Sequence, residues 1–176
     1  MEKNKSLIAR RRTAAKDDSS ANYVNRKQEI IQAAVQVFHR LGYAKASLTA
    51  IATEMGIDRA SIYYYFSSKE DVFDEIISAV LKDNDLLAQR IASSDISPTR
   101  KLRDLVSALM ISYAENYPLL YLYIREDLSN ISGKRSEWSA RMRDLNRSIE
   151  RSVVGIIEQG FADCSFRKVG SARTVA

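Results

Sequence analysis

The residues best placed for chemistry lie between Ser47 and Asp71, in the stretch SLTAIATEMGIDRASIYYYFSSKED. Arg59, Ala60 and Ser61 stand just after Asp58, and Tyr63 and Tyr64 follow them, with Lys69 and Thr49 on either side. A guanidinium, hydroxyls and an ammonium grouped around a helix start suit phosphate oxygens and base edges. Three consecutive tyrosines, Tyr63–Tyr65, cannot all be core on a short helix, because ~100° per residue fans them around it. The expected roles are phosphate contact for Tyr63, Tyr64 and Lys69, and base-edge contact for Arg59, Ala60 and Ser61. Thr49 anchors a phosphate near the start of the preceding helix.

Turnover chemistry is harder to assemble. The chain has one histidine, His39, and one cysteine, Cys164, far apart in sequence. Nucleophilic or zinc chemistry needs partners these lack. Carboxylate pairs such as Asp83/Asp85 and Glu126/Asp127 fall on expected surface faces, with no concave setting to raise a pKa. The reading is not an enzyme, with no cofactor and no metal.

The elements that must hold the recognition residues are short helices. Ile51, Ala52 and Met55 give one apolar stripe, with Ser47 as N-cap and Gly56 at the left-handed end. Asp58 caps the next helix, whose inward face is Ile62 and Phe66. The alternative is an ordinary pair of helices in any helical protein. Ser67 and Glu70 have capping-box spacing for a third start. Before this stretch, Asn25–Leu41 forms a first helix through Ile30, Ile31, Ala34, Val37, Phe38 and Leu41, ended by Gly42.

These residues resemble the DNA-binding motif of the TetR family of bacterial transcriptional regulators. Ile51-Ala52, Gly56-Ile57, Ile62-Tyr63, Phe66 and Lys69-Glu70 fall on that family's positions in register. Met55, Ala60 and Tyr65 depart from it, standing where a small residue, a glycine and a histidine are usual. The resemblance implies double-stranded operator DNA as partner, a small-molecule effector and a homodimer.

Charge and length agree with such a chain. It has 176 residues and a formal charge of +5. Residues 1–27 hold eight Lys/Arg against three Asp/Glu, so that segment carries the excess. Residues 1–24 read as a flexible basic arm. In it, Arg10, Arg11 and Arg12 could track phosphates or enter a minor groove, or merely keep a tail solvated. No apolar run approaches the ~18 residues of a membrane span, and the lone cysteine suits a reducing cytoplasm.

The fold expected is all-α: a three-helix helix-turn-helix domain over 25–67, a linking helix over 68–92, and a regulatory helical bundle over 93–176. Ser97-Pro98 starts a fifth helix, Leu119–Leu128 forms a sixth, and Ser136–Gln159 a seventh, ended by Gly160. By the resemblance, the bundle encloses an effector. Leu105, Leu109, Met110, Tyr113, Tyr121, Trp138, Met142 and Leu145 supply an adaptable apolar lining, suggesting a fatty acyl or sterol-like molecule. The same residues would equally serve as plain bundle core. Arg125, Glu126 and Asp127 could read a polar end or form a solvated face. Family members usually continue with two dimer-forming helices, of which Val169–Ala176 looks like the beginning. A homodimer is therefore doubtful for this chain, and a monomer would hold operator DNA weakly.

The leading function is a ligand-responsive repressor. The alternatives are a ligand-binding or interaction protein whose DNA binding is weakened by truncation, and a non-specific basic-arm DNA binder.

Overall fold

The computed structural model describes residues 21–125 and 135–176, and all elements among them are helices. In chain order these are α1 (Ala21–Leu41), α2 (Leu48–Glu54), α3 (Arg59–Tyr65), α4 (Lys69–Ala92), α5 (Pro98–Glu115), α6 (Leu119–Arg125), α7 (Ser136–Ala162) and α8 (Ala172–Val175). None is long and apolar enough to cross a membrane. Arg10, Arg11 and Arg12, and the end of the expected sixth helix, lie outside the described residues.

The chain divides into two compact units, one ending at Ile76 and one beginning at Ile77. The first is larger than the expected 25–67 domain, because Val72, Phe73 and Ile76 of α4 are buried in it. Its core takes Ile30, Ala34, Val37 and Phe38 from α1, Leu48, Ile51 and Ala52 from α2, and Ile62 and Phe66 from α3 and its end. Each such large side chain contributes about 1.5–3 kcal/mol by leaving water. Leu41, expected on the apolar face, is exposed.

Two expected boundaries move. The helix α1 starts at Ala21, four residues before Asn25, so the end of the expected arm is helical. Tyr23 accounts for this: its ring stacks on Tyr65 at 4.9 Å and gives the first turn an aromatic anchor. The α4 cap shifts by one residue from Ser67/Glu70. Ser68 Oγ accepts from Asp71 N–H at 3.1 Å, and Asp71 Oδ2 accepts from Ser67 N–H at 2.9 Å. The pattern resembles a capping box, except that the Asp71 carboxylate reaches back one residue beyond the Ser68 cap, to the Ser67 N–H.

Within the second unit, Ala88, Leu105 and Ile156 are fully buried together, with Leu102, Leu109, Ile149 and Val153 around them. Pro98 occupies the first turn of α5, although Ser97 makes no side-chain cap bond. Lys101 is buried, and its Nζ donates to Ala92 O at 2.9 Å and Gln159 Oε1 at 2.8 Å. It thereby satisfies a carbonyl at the end of α4. Gly160 does not end α7, which runs on to Ala162. Its missing side chain is instead where the Phe166 ring sits: a Cβ there would meet Phe166 Cδ2 at 2.0 Å.

Candidate nucleic-acid interface

The α2–turn–α3 segment is built by local rules. Ser47 Oγ accepts from Ala50 N–H at 3.1 Å and caps α2. Gly56 follows with φ +63°, a conformation that costs glycine little. Ile57 N–H then donates back to Ala52 O at 3.0 Å, closing the helix end. Asp58 caps α3: Oδ1 accepts from Ser61 N–H at 3.0 Å and Oδ2 from Ser61 Oγ–H at 2.7 Å. The Ser61 hydroxyl first, and then its N–H, hold the Asp58 carboxyl below its ordinary range. The α3 backbone start is thus fixed without engaging the outward side chains of Arg59 and Ala60, both exposed.

Several expected site residues meet on this face. Arg59 Nη2 donates to Tyr63 OH at 2.9 Å, and the guanidinium lies 5.0 Å from that ring's centre. The pairing restricts Arg59 before any ligand arrives. Ala60, Ser61 and Tyr64 line an open cleft of about 450 Å³ with Asp58, Tyr65 and Arg26. Tyr64 and Tyr65 are half-buried, edge to face at 5.1 Å, and Tyr23 closes the group. Burial pushes the Tyr65 hydroxyl pKa up, so it remains a neutral donor. Thr49 is exposed in the first turn of α2, and its carbonyl accepts from Thr53 Oγ1–H at 3.0 Å.

Tyr23 and Arg26 escaped the sequence reading. The available signal was their i, i+3 spacing, which puts both on one helical face. Arg26 pairs with Glu29 at 2.6 Å.

Lys69 is the clear correction. Its Nζ donates to Tyr43 O at 2.9 Å and to Ala44 O and Ala46 O at 3.3 Å each, and sits 4.6 Å from the Tyr43 ring centre. An ammonium has three hydrogens, and three carbonyls take them. Lys69 therefore clasps the α1–α2 loop in this structure instead of pointing at a phosphate.

The eight expected effector residues differ in exposure. Met110 and Tyr121 are exposed, at 59% and 39%, while Leu105 is sealed in the α4–α5–α7 core. Trp138 and Met142 are buried near a polar group: Trp138 Nε1 donates to Ser78 Oγ at 3.0 Å, and Tyr123 OH accepts from Asn146 Nδ2 at 2.8 Å. Leu109, Tyr113 and Leu145 are half-buried. Periodicity finds apolar positions but does not say which of them face a space. His39 and Cys164 are both exposed.

Comparison with known proteins agrees with this geometry. A model described as "Bacterial regulatory proteins, tetR family" matches residues 30–76, ending where the first compact unit ends. The chain is 25% identical over 150 residues to the HTH-type transcriptional repressor KstR2 of Rhodococcus jostii, covering 85% of this chain and 72% of that one. A TetR/AcrR-family regulator structure from Thermobifida fusca superposes with a TM-score of 0.69 at 26% identity, covering 85% of this chain and 77% of that one. FadR of Thermus thermophilus, solved with lauroyl-CoA, shares the fold, with a TM-score of 0.56 at 24% identity over 84% of this chain and 74% of that one. With the capped helix pair and its exposed α3 face, these matches support a DNA-binding transcriptional regulator of the TetR family, with residues 30–76 matching that family's model.

Proposed function

We propose that this chain is a repressor whose α3 N-terminal turn reads operator base edges and which a small molecule releases. The observation that carries the reading is the capped start of α3. Asp58 fixes the backbone there while Arg59 and Ala60 stay exposed. A helix held this way can enter a major groove and present those side chains to bases. Tyr63, Tyr64 and Thr49 then contact phosphates, and Arg10, Arg11 and Arg12 add charge from the arm. Residues 28–66 carry three Lys/Arg and three Asp/Glu, so the motif itself is neutral and depends on such flanking cations. The protein works in the cytoplasm, on double-stranded DNA.

Residues 77–176 sense the effector. Trp138 and Met142 are its best-placed contacts, because an indole, a thioether and the nearby Tyr123 hydroxyl combine apolar surface with a hydrogen-bonding handle. A fatty acyl or sterol-like molecule fits that chemistry. It is also consistent with a structural relative captured with lauroyl-CoA and another, KstR2 of Mycobacterium tuberculosis, that is a ketosteroid transcriptional regulator. Two copies reading two half-sites would bind far more tightly than one.

The test is fluorescence anisotropy with the DNA upstream of its own reading frame and a scrambled duplex, over a salt series. A repressor prefers the upstream DNA and loses affinity steeply with salt. Equal affinity for both duplexes refutes the reading. Adding acyl-CoA to the complex then asks for release.

A further inference from the structure

The faces of α4 and α5 that line an open cleft of about 420 Å³ repeat the same spacing. Val80, Asp83, Asn84 and Leu87 on α4 follow i, i+3, i+4, i+7, and Ala108 and Glu115 stand seven apart on α5. Each helix therefore gives one continuous face to the space. All these residues lie in the second compact unit.

The chemistry of this lining is uneven in a useful way. Val80, Leu87 and Ala108 provide half-buried apolar surface, and Asp83 and Glu115 are exposed carboxylates. Neither carboxylate is in an ion pair or hydrogen bond among the described residues, and no lysine or arginine lines the cleft. Asn84 is only 7% exposed as a residue, and its side-chain amide forms no hydrogen bond with the described residues, yet its polar atoms are not sealed from solvent. The amide therefore meets water in the open cleft, and a ligand that replaces that water can take up its hydrogen-bonding capacity. The volume falls within the range of small-molecule sites.

We propose that the α4–α5 cleft is an effector site for a small organic cation, an alkylammonium with an apolar tail. Asp83 and Glu115 face the ammonium, Asn84 Oδ1 accepts one of its hydrogens, and Val80, Leu87 and Ala108 cover the tail. Carboxylates at a partly enclosed site attract a cation and repel a fatty carboxylate, so charge selects the ligand where apolar area alone would not. The cleft is a second effector site, apart from the Trp138 and Met142 contacts, and its regulatory meaning rests on the repressor reading above. It also lies on α4, the helix whose first turns are built into the DNA-binding unit.

Calorimetry on the full chain with n-hexylammonium, hexanoate and hexanol tests it. The ammonium binds, and hexanoate is weaker by about tenfold or more. Asp83→Asn and Glu115→Gln each weaken the ammonium by about fivefold, the upper range for a partly exposed charge pair. Both carboxylates are exposed, so these variants keep the fold. Absence of ammonium binding, equal binding of hexanoate or hexanol, or unchanged affinity in the double variant overturns the site. Anisotropy of the DNA complex on the same samples separates this from the repressor reading. Ammonium binding that leaves DNA bound keeps the cleft and removes its regulatory role. Release by acyl-CoA with no ammonium binding removes the cleft and keeps the repressor.

Discussion

Replacing Lys69 by methionine distinguishes a clasp from a phosphate contact. Methionine retains much of the aliphatic stem and removes only the ammonium. The loss is one well-placed charged hydrogen bond at 2.9 Å, two long ones at 3.3 Å and the cation–π contact with Tyr43. A charged hydrogen bond contributes about 1.5–3 kcal/mol, and the long pair adds little because that geometry is near the useful limit. The freed carbonyl of Ala44 is in an exposed setting, so water recovers part of the cost there, while Ala46 is buried. The expected destabilisation is about 2 kcal/mol, read as a lower urea midpoint by circular dichroism. Affinity for operator DNA falls too, because the loop before α2 loosens. The deciding measurement is the salt slope. A lysine on a phosphate contributes about 0.9 to the slope of log affinity against log salt. The clasp predicts weaker binding with the slope unchanged. A slope reduced by about one, with the urea midpoint intact, would show that Lys69 reaches the DNA and that the clasp is wrong.

Other substitutions probe separate joints. Gly160→Ala forces a methyl into the Phe166 ring and costs about 2 kcal/mol, within the usual range of overpacking; a urea midpoint equal to wild type contradicts it. Pairing it with Phe166→Ala recovers part of that loss. Tyr23→Ala removes the stack on Tyr65 and the edge contact with Tyr64, costing about 1–2 kcal/mol and speeding amide exchange in the first turns of α1. Asp58 has a folded pKa below its unfolded one, so its contribution to stability is present above the unfolded value and lost as pH falls through the folded one. Asp58→Ala therefore lowers stability at neutral pH, and the gap to wild type closes on strong acidification; a gap that widens in acid reverses the sign.

What could be read from the sequence was local. Ser47, Gly56 and Asp58 cap and end their helices through partners within five residues, and all three stand where the sequence puts them. Gly42 likewise takes φ +73° at the end of α1. What escaped depends on distant partners. Lys69 finds carbonyls 23 to 26 positions away, and Tyr23 finds an aromatic ring on α3. Gly160 resembles a helix stop in one dimension, and only Phe166 folding back on it makes it a packing position. The effector candidates differ in burial for a related reason. Helical spacing marks Met110 and Leu105 alike as apolar, while the fold exposes one and seals the other.

The most direct test of the central claim is the ratio of operator to scrambled-DNA affinity in wild type and Arg59→Ala, measured by anisotropy at one fixed salt concentration. If the start of α3 reads bases, the substitution costs about 1–3 kcal/mol on the operator and far less on scrambled DNA, so the ratio collapses. An equal fall on both duplexes would mean that Arg59 serves only as charge and that operator reading lies elsewhere on the chain.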